Sequence, residues 1–235
     1  MKKFKLTSEF IVDISGVKLF RIKALIEFGN VKAGDLGGYI EKEENLSHMG
    51  NAWVSGNAQV SGDARVSGNA WVSGNAQVSG DARVFGNARV SGDAQVFGDA
   101  RVSGNAQVFG NARVSGNAWV SGNAQVSGNA WVSGNAQVSG DARVFGNARV
   151  SGDAQVFGDA RVSGDKDYAY AHGFGSCNRT TTFFRLKDGD VGVRCGCFYG
   201  TLAQFRDNVC ETHGETKKAQ EYLMLADLMD FRFKN

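Results

Sequence analysis

The chain has 235 residues, with 26 Lys and Arg against 24 Asp and Glu, four Cys and no Pro. Charge this balanced lacks the basic excess of a nucleic-acid footprint, and four cysteines at this length do not make a disulfide scaffold. No apolar run approaches the roughly 18 residues of a membrane span, and Met1-Lys2-Lys3-Phe4-Lys5-Leu6 lacks the apolar stretch of a secretory signal, so a cytoplasmic protein is expected.

Residues 1–49 predict an N-terminal β cap. Residues 9–14 and 18–22 read as a hairpin around Ser15-Gly16. Residues 34–40 read as an irregular approach to the repeats that begin at Gly50. A cap is needed because the end of a strand stack is an open edge that recruits other chains.

From Gly50 to Ser163 one hexad recurs nineteen times: Gly, Asn or Asp, Ala, one of Trp/Gln/Arg, Val, then Ser or Phe. A six-residue period predicts a β-solenoid over residues 50–165. Alternation at period 2 turns Ala and Val inward and Trp/Gln/Arg and Ser/Phe outward. Val suits a buried pleated position, and Gly with Asn or Asp suits the corners. An interior of Val and Ala is narrow and solid, with no room for a ligand. Residues 66–104 recur unchanged at 126–164. This duplication preserves the interior and moves the outward residues to another side.

Residues 166–235 predict a C-terminal α+β domain. Residues 180–185 and 191–198 read as paired strands around Lys187-Asp188-Gly189-Asp190. Thr201-Leu202-Ala203-Gln204 is a capping box opening a helix through about Thr212, ended by Gly214. A second helix is expected over residues 216–231, burying Tyr222, Leu223, Ala226 and Met229.

Val60-Ser61-Gly62-Asp63-Ala64-Arg65 resembles the hexapeptide repeat of left-handed β-helix proteins. The resemblance implies a parallel, triangular coil of three hexads per turn, a little over six turns and roughly 30 Å long at about 4.8 Å per rung. Gly34-Asp35-Leu36-Gly37-Gly38-Tyr39-Ile40 leading into Gly50-Asn51-Ala52-Trp53-Val54 resembles the opening of phage- and prophage-encoded hexapeptide-repeat proteins. Cys195-Gly196-Cys197-Phe198-Tyr199-Gly200-Thr201-Leu202, with Thr212-His213-Gly214, resembles a small phage-associated C-terminal domain. These resemblances imply an infected or lysogenic bacterial cell as the setting.

A period of eighteen aligns Arg65, Arg83 and Arg101 in one column and Asp63, Asp81 and Asp99 in the next. The arginines are candidate anion contacts; the alternative is mutual pairing with the aspartates, worth little at an exposed surface. Trp53 and Trp71 align with Arg89, which allows a cation–π contact. Nine outward aromatics suggest an interface or a stiffening stack. Arg179, Arg185 and Arg194 are expected to be exposed contacts on the C-terminal unit. Cys195, Cys197, Cys210 and His213 are weak zinc candidates, because C-x-C is not the usual ligand spacing; plain burial of the thiols is the competing reading.

Many left-handed β-helix proteins are acyltransferases, but the only histidines, His48, His172 and His213, lie outside the strict repeats, and no projecting loop interrupts them. The expectation is a non-enzymatic phage-type binding protein without a cofactor. It would engage a host protein or complex, with nucleic acid or a nucleotide as other candidate partners, and inhibit a host defence system such as a CRISPR effector or nucleotide signalling. A self-associating scaffold rod and an acyltransferase are the alternatives. No membrane partner is expected; a homo-oligomer is compatible with the pattern.

Overall fold

The computed structural model describes residues 2–175 and 179–234, so Cys177 lies outside the described residues. Nineteen two-residue strands, β4 (Trp53–Val54) through β22 (Arg161–Val162), recur every six residues. Through β19, each pairs in parallel with the strand three further along. In β10 (Arg89–Val90), for example, Arg89 lies beside Trp71 and Gln107, and Val90 beside Val72 and Val108. Eighteen residues therefore make one turn, and the section has three faces. One face carries seven of these rungs and the other two carry six. The entry segment adds more: β3 (Leu36–Ile40) sets Ile40 beside Val60, and Leu46 bridges to Val66, giving about seven turns.

The repeat's Val and Ala side chains are all buried and form one continuous core. Backbone bonds run between turns, as from the Gln95 N–H to the Ala112 carbonyl at 2.9 Å. The corners bring backbones too close for a side chain. Gly92 has φ +70°, and a Cβ there would sit 3.0 Å from the Gly110 nitrogen, in a conformation that L-residues rarely adopt.

Asparagines beside the corners form ladders. The Asn87 amide donates to Asn105, Asn105 to Asn123, and Asn123 to Asp141, at 2.9–3.0 Å. Each of these bonds points toward the C-terminal end. An aspartate can accept in this scheme but cannot pass a hydrogen bond on, so the run Asp63, Asp81, Asp99 carries no ladder. Asp63 instead takes the Lys42 ammonium at 2.7 Å, which holds its carboxyl below the usual range.

At the N-terminal end, β1 (Phe4–Val12) and β2 (Lys18–Ala24) form the expected hairpin. β2 joins β3 antiparallel, so one face continues into the cap. Two side chains close the open edge of the first turns. Asn45 donates to the Gly62 and Ala64 carbonyls at 3.0 and 2.9 Å. The Lys3 ammonium, only 1% exposed, donates to the Ala52 carbonyl at 2.7 Å and lies over the Phe28 ring.

Burial pushes Lys3 from 10.5 down to about 8. The folded state then holds fewer protons than the unfolded chain between these values, so this group makes stability rise with pH across that window. Denaturant titrations of wild type and Lys3→Met at pH 7.5 and pH 10 should show wild type gaining relative to the variant. A constant difference would contradict the linkage.

Among the described residues the C-terminal unit contains four strands: β23 (Tyr168–Phe174), β24 (Arg179–Arg185), β25 (Val191–Cys195) and β26 (Phe198–Thr201), all antiparallel in that order. Two helices, α1 (Leu202–His213) and α2 (Lys217–Phe233), complete it. The Thr201–Gln204 capping box forms as expected, and Gly214 stands at the C-terminal cap of α1. The single strand expected over 191–198 is two strands. Gly196, at φ +59°, reverses the chain so that Cys195 pairs with Phe198.

β24 crosses the end of the stack and faces two ways. Phe184 belongs to the core of the rod, whereas Phe183 belongs to the separate core beneath the helices. Thr182, on the rod side, accepts the Gln155 N–H at 2.9 Å and so covers part of the last open edge. Asp167 receives the N–H groups of Ser163 and Gly164.

Candidate functional site

The predicted columns form. Arg65, Arg83 and Arg101 lie in register on one face, with Trp119 next in line, and all four are exposed. Among the described residues no ion pair joins these arginines to the neighbouring aspartate column; the ion pairs lie in the two terminal units and at Lys42–Asp63. The three guanidinium groups are exposed, and the charge of Arg65 still contributes to lowering the Asp63 carboxyl, after Lys42.

Trp53 departs from the expectation. It is 2% exposed, because Phe28 of the N-terminal cap packs edge-on against it at 5.4 Å. It is a core residue and not a contact. Trp71 stays partly exposed in the next rung with Arg89 beyond it. Among the described residues no cation–π contact links these two; such contacts occur at Lys3, Lys18, Arg21, Arg185 and Arg194. Trp119 and Trp131 lie along the surface, each indole N–H donating at 3.0 Å to a serine of the preceding turn, Ser103 and Ser115.

The C-terminal arginines divide. Arg179 is exposed. Arg185 is half-buried and donates to the Phe233 carbonyl at 2.9 Å, tying down the end of α2. Arg194 is half-buried over Phe157 at 5.1 Å. With Tyr199, which meets the same ring at 5.3 Å, it docks the C-terminal unit on the rod. Two of the three therefore hold the molecule together and are not free contacts.

The zinc candidates do not converge. Cys197 is at the exposed tip of the Gly196 turn, and Cys195 lies 3.2 Å from the Thr181 hydroxyl. Cys210 is exposed on α1, and His213 stacks on Tyr222. Among the described residues no three His, Cys, Asp or Glu side chains are placed to hold a metal ion. His48 packs into the N-terminal cap, stacked on Phe4 at 4.3 Å. Its Nδ1 accepts the Lys3 N–H, and its buried Nε2 lies 3.7 Å from Glu43. The Lys2 ammonium holds that carboxyl below its usual range.

One surface lies outside the expectations drawn from the sequence. Met224, Leu228 and Phe231 are 71%, 56% and 73% exposed. They recur at i, i+4 and i+7 on α2, opposite the buried Tyr222, Ala226 and Met229. The spacing was legible, but the helix already had one apolar stripe for its core. A second stripe on the other side is the pattern of a helix that docks into a groove. No described helix is long and apolar enough to cross a membrane.

The YdcK beta solenoid repeat matches six segments, residues 58–74, 76–92, 94–108, 106–122, 124–140 and 136–152. No curated protein matches the chain. The matched segments all fall on the three-sided stack, so the rod is a repeat β-helix whose turns are similar to the YdcK beta solenoid repeat.

Proposed function

We propose that this chain is a non-enzymatic binding protein of phage type. The rod acts as a rigid spacer, and the terminal unit seats a host protein on the Met224/Leu228/Phe231 ridge. The observation that carries the reading is that ridge, an exposed apolar stripe on a helix whose opposite face is buried in the core of the C-terminal unit. Isolated exposed apolar residues need no explanation, but a contiguous stripe marks an interaction site. The open arginine column would supply a second, electrostatic contact. The resemblance to phage-encoded repeat proteins points to a host defence component as the target, a CRISPR effector or a nucleotide-signalling protein, inhibited by occupation.

The test is phage plating on a bacterial host with an active defence system. Expression of the wild-type chain should restore plaques, and Met224→Asp/Leu228→Asp should lose at least tenfold of that effect while still folding. Equal rescue by both proteins would remove the ridge from the mechanism, and rescue by neither would remove the defence target. Light scattering that grows with concentration would favour a scaffold rod instead.

A further inference from the structure

We propose that the cleft between the Gly29–Asn30 turn and the Trp71 face of the rod binds an acidic saccharide. The cleft measures about 480 Å³ and is lined by Asn30, Asn51, Trp71, Ser73, Arg89 and Ser91, among others. That size lies within the range of small-molecule sites.

The duplication provides an internal comparison. Trp71 and Trp131 occupy the same position in identical stretches of sequence, sixty residues apart. Because the copy sits on another face, their surroundings differ. Trp131 donates its indole N–H to Ser115, and Trp119 donates to Ser103 in the same way. Trp71 makes no corresponding bond to Ser55, and its N–H has no hydrogen-bond partner among the described residues, while the residue itself lines the cleft. Trp53 lies beneath it in register, fixed by Phe28. The Trp71 ring is therefore a supported platform with its polar edge unspent.

The other lining groups are also unspent. Arg89 has neutral neighbours on both sides, Trp71 and Gln107, and no ion-pair partner among the described residues. The side-chain amides of Asn30 and Asn51 have no hydrogen-bond partner among the described residues, whereas Asn69 already donates to Asn87. The wall thus offers an indole face, an indole N–H, a guanidinium, two amides and two hydroxyls.

Each element matches one part of a uronate sugar. The apolar C–H face of a pyranose packs on an indole. Vicinal hydroxyls pair with amides, which both donate and accept. A carboxylate takes the guanidinium fork. The excess of donors favours an anion over a neutral sugar.

The experiment is calorimetric titration of the full chain with trigalacturonate, its methyl ester and adenosine monophosphate. Wild type should bind the uronate at least tenfold more tightly than the ester, and the preference should weaken with added salt. Arg89→Gln should bring the uronate down to the ester's affinity. Trp71→Ala should abolish binding of both, and Trp131→Ala should change nothing. Absence of uronate binding to wild type would overturn the proposal, as would binding indifferent to Arg89→Gln or equally sensitive to Trp131→Ala. Tighter binding of the nucleotide would overturn it in favour of that ligand.

Discussion

Val90→Asp should break the rod in two. Val90 is fully buried on the third of the seven rungs of its face, with Val72 and Val108 on either side. A carboxyl group placed there finds only Val and Ala side chains, so it enters either charged and unpaired or neutral and without a partner. The cost should be about 4 kcal/mol or more. Because each turn contacts only its neighbours, the damage cannot be shared across a compact core. The expected result is a first denaturation transition at much lower urea and protease cleavage near residue 90. A substitution one residue away, Arg89→Asp, faces solvent and should shift stability by only about 0.5 kcal/mol. Equal effects at 89 and 90 would refute the inward–outward assignment.

Phe184→Ala should release the C-terminal unit from the rod. Its ring fills the end of the solenoid core, while the adjacent Phe183 fills the core beneath the helices. Truncating a buried Phe costs about 3–5 kcal/mol. At Phe184 that loss falls on the joint between two bodies. Hydrogen exchange should therefore speed up at the last rungs, around Gln155 and Val156, while α1 and α2 stay protected. Phe183→Ala should do the reverse, loosening the helices and leaving the rungs protected. Identical exchange patterns for the two variants would show that β24 does not divide the cores.

The hexad carried most of this architecture in the sequence. Gly, a small residue and Val at fixed spacing leave one way to alternate and place the corners; the three faces, and with them the Arg65/Arg83/Arg101 column, follow from the resemblance to hexapeptide-repeat proteins. What it did not carry depends on partners distant in sequence. Trp53 obeys the repeat locally and is buried only because Phe28 covers it. Arg194 looks like a surface cation until Phe157 of the rod lies beneath it. The sequence pattern marks no strand over 168–174, because pairing with residues 179–185 is what orders it as one. Gly196 sits inside a strand-like run, although it is the one residue there able to reverse the chain. Trp71 and Trp131 show the limit most directly: the same letters have different hydrogen bonds where their neighbours differ, Trp53 and Arg89 for the first, Arg113 and Arg149 for the second.

The number of hexads fixes more than the length of this molecule. Each turn uses three rungs, so adding or removing three moves the two end units apart or together without rotating one about the axis relative to the other, beyond any twist of the coil. Adding or removing one swings them by a third of a revolution. The sixty-residue copy amounts to three turns plus one rung. An insertion of that size would have redirected the α2 ridge relative to the Trp71 cleft in a single event, changing which binding surfaces share a side while every valine kept its place.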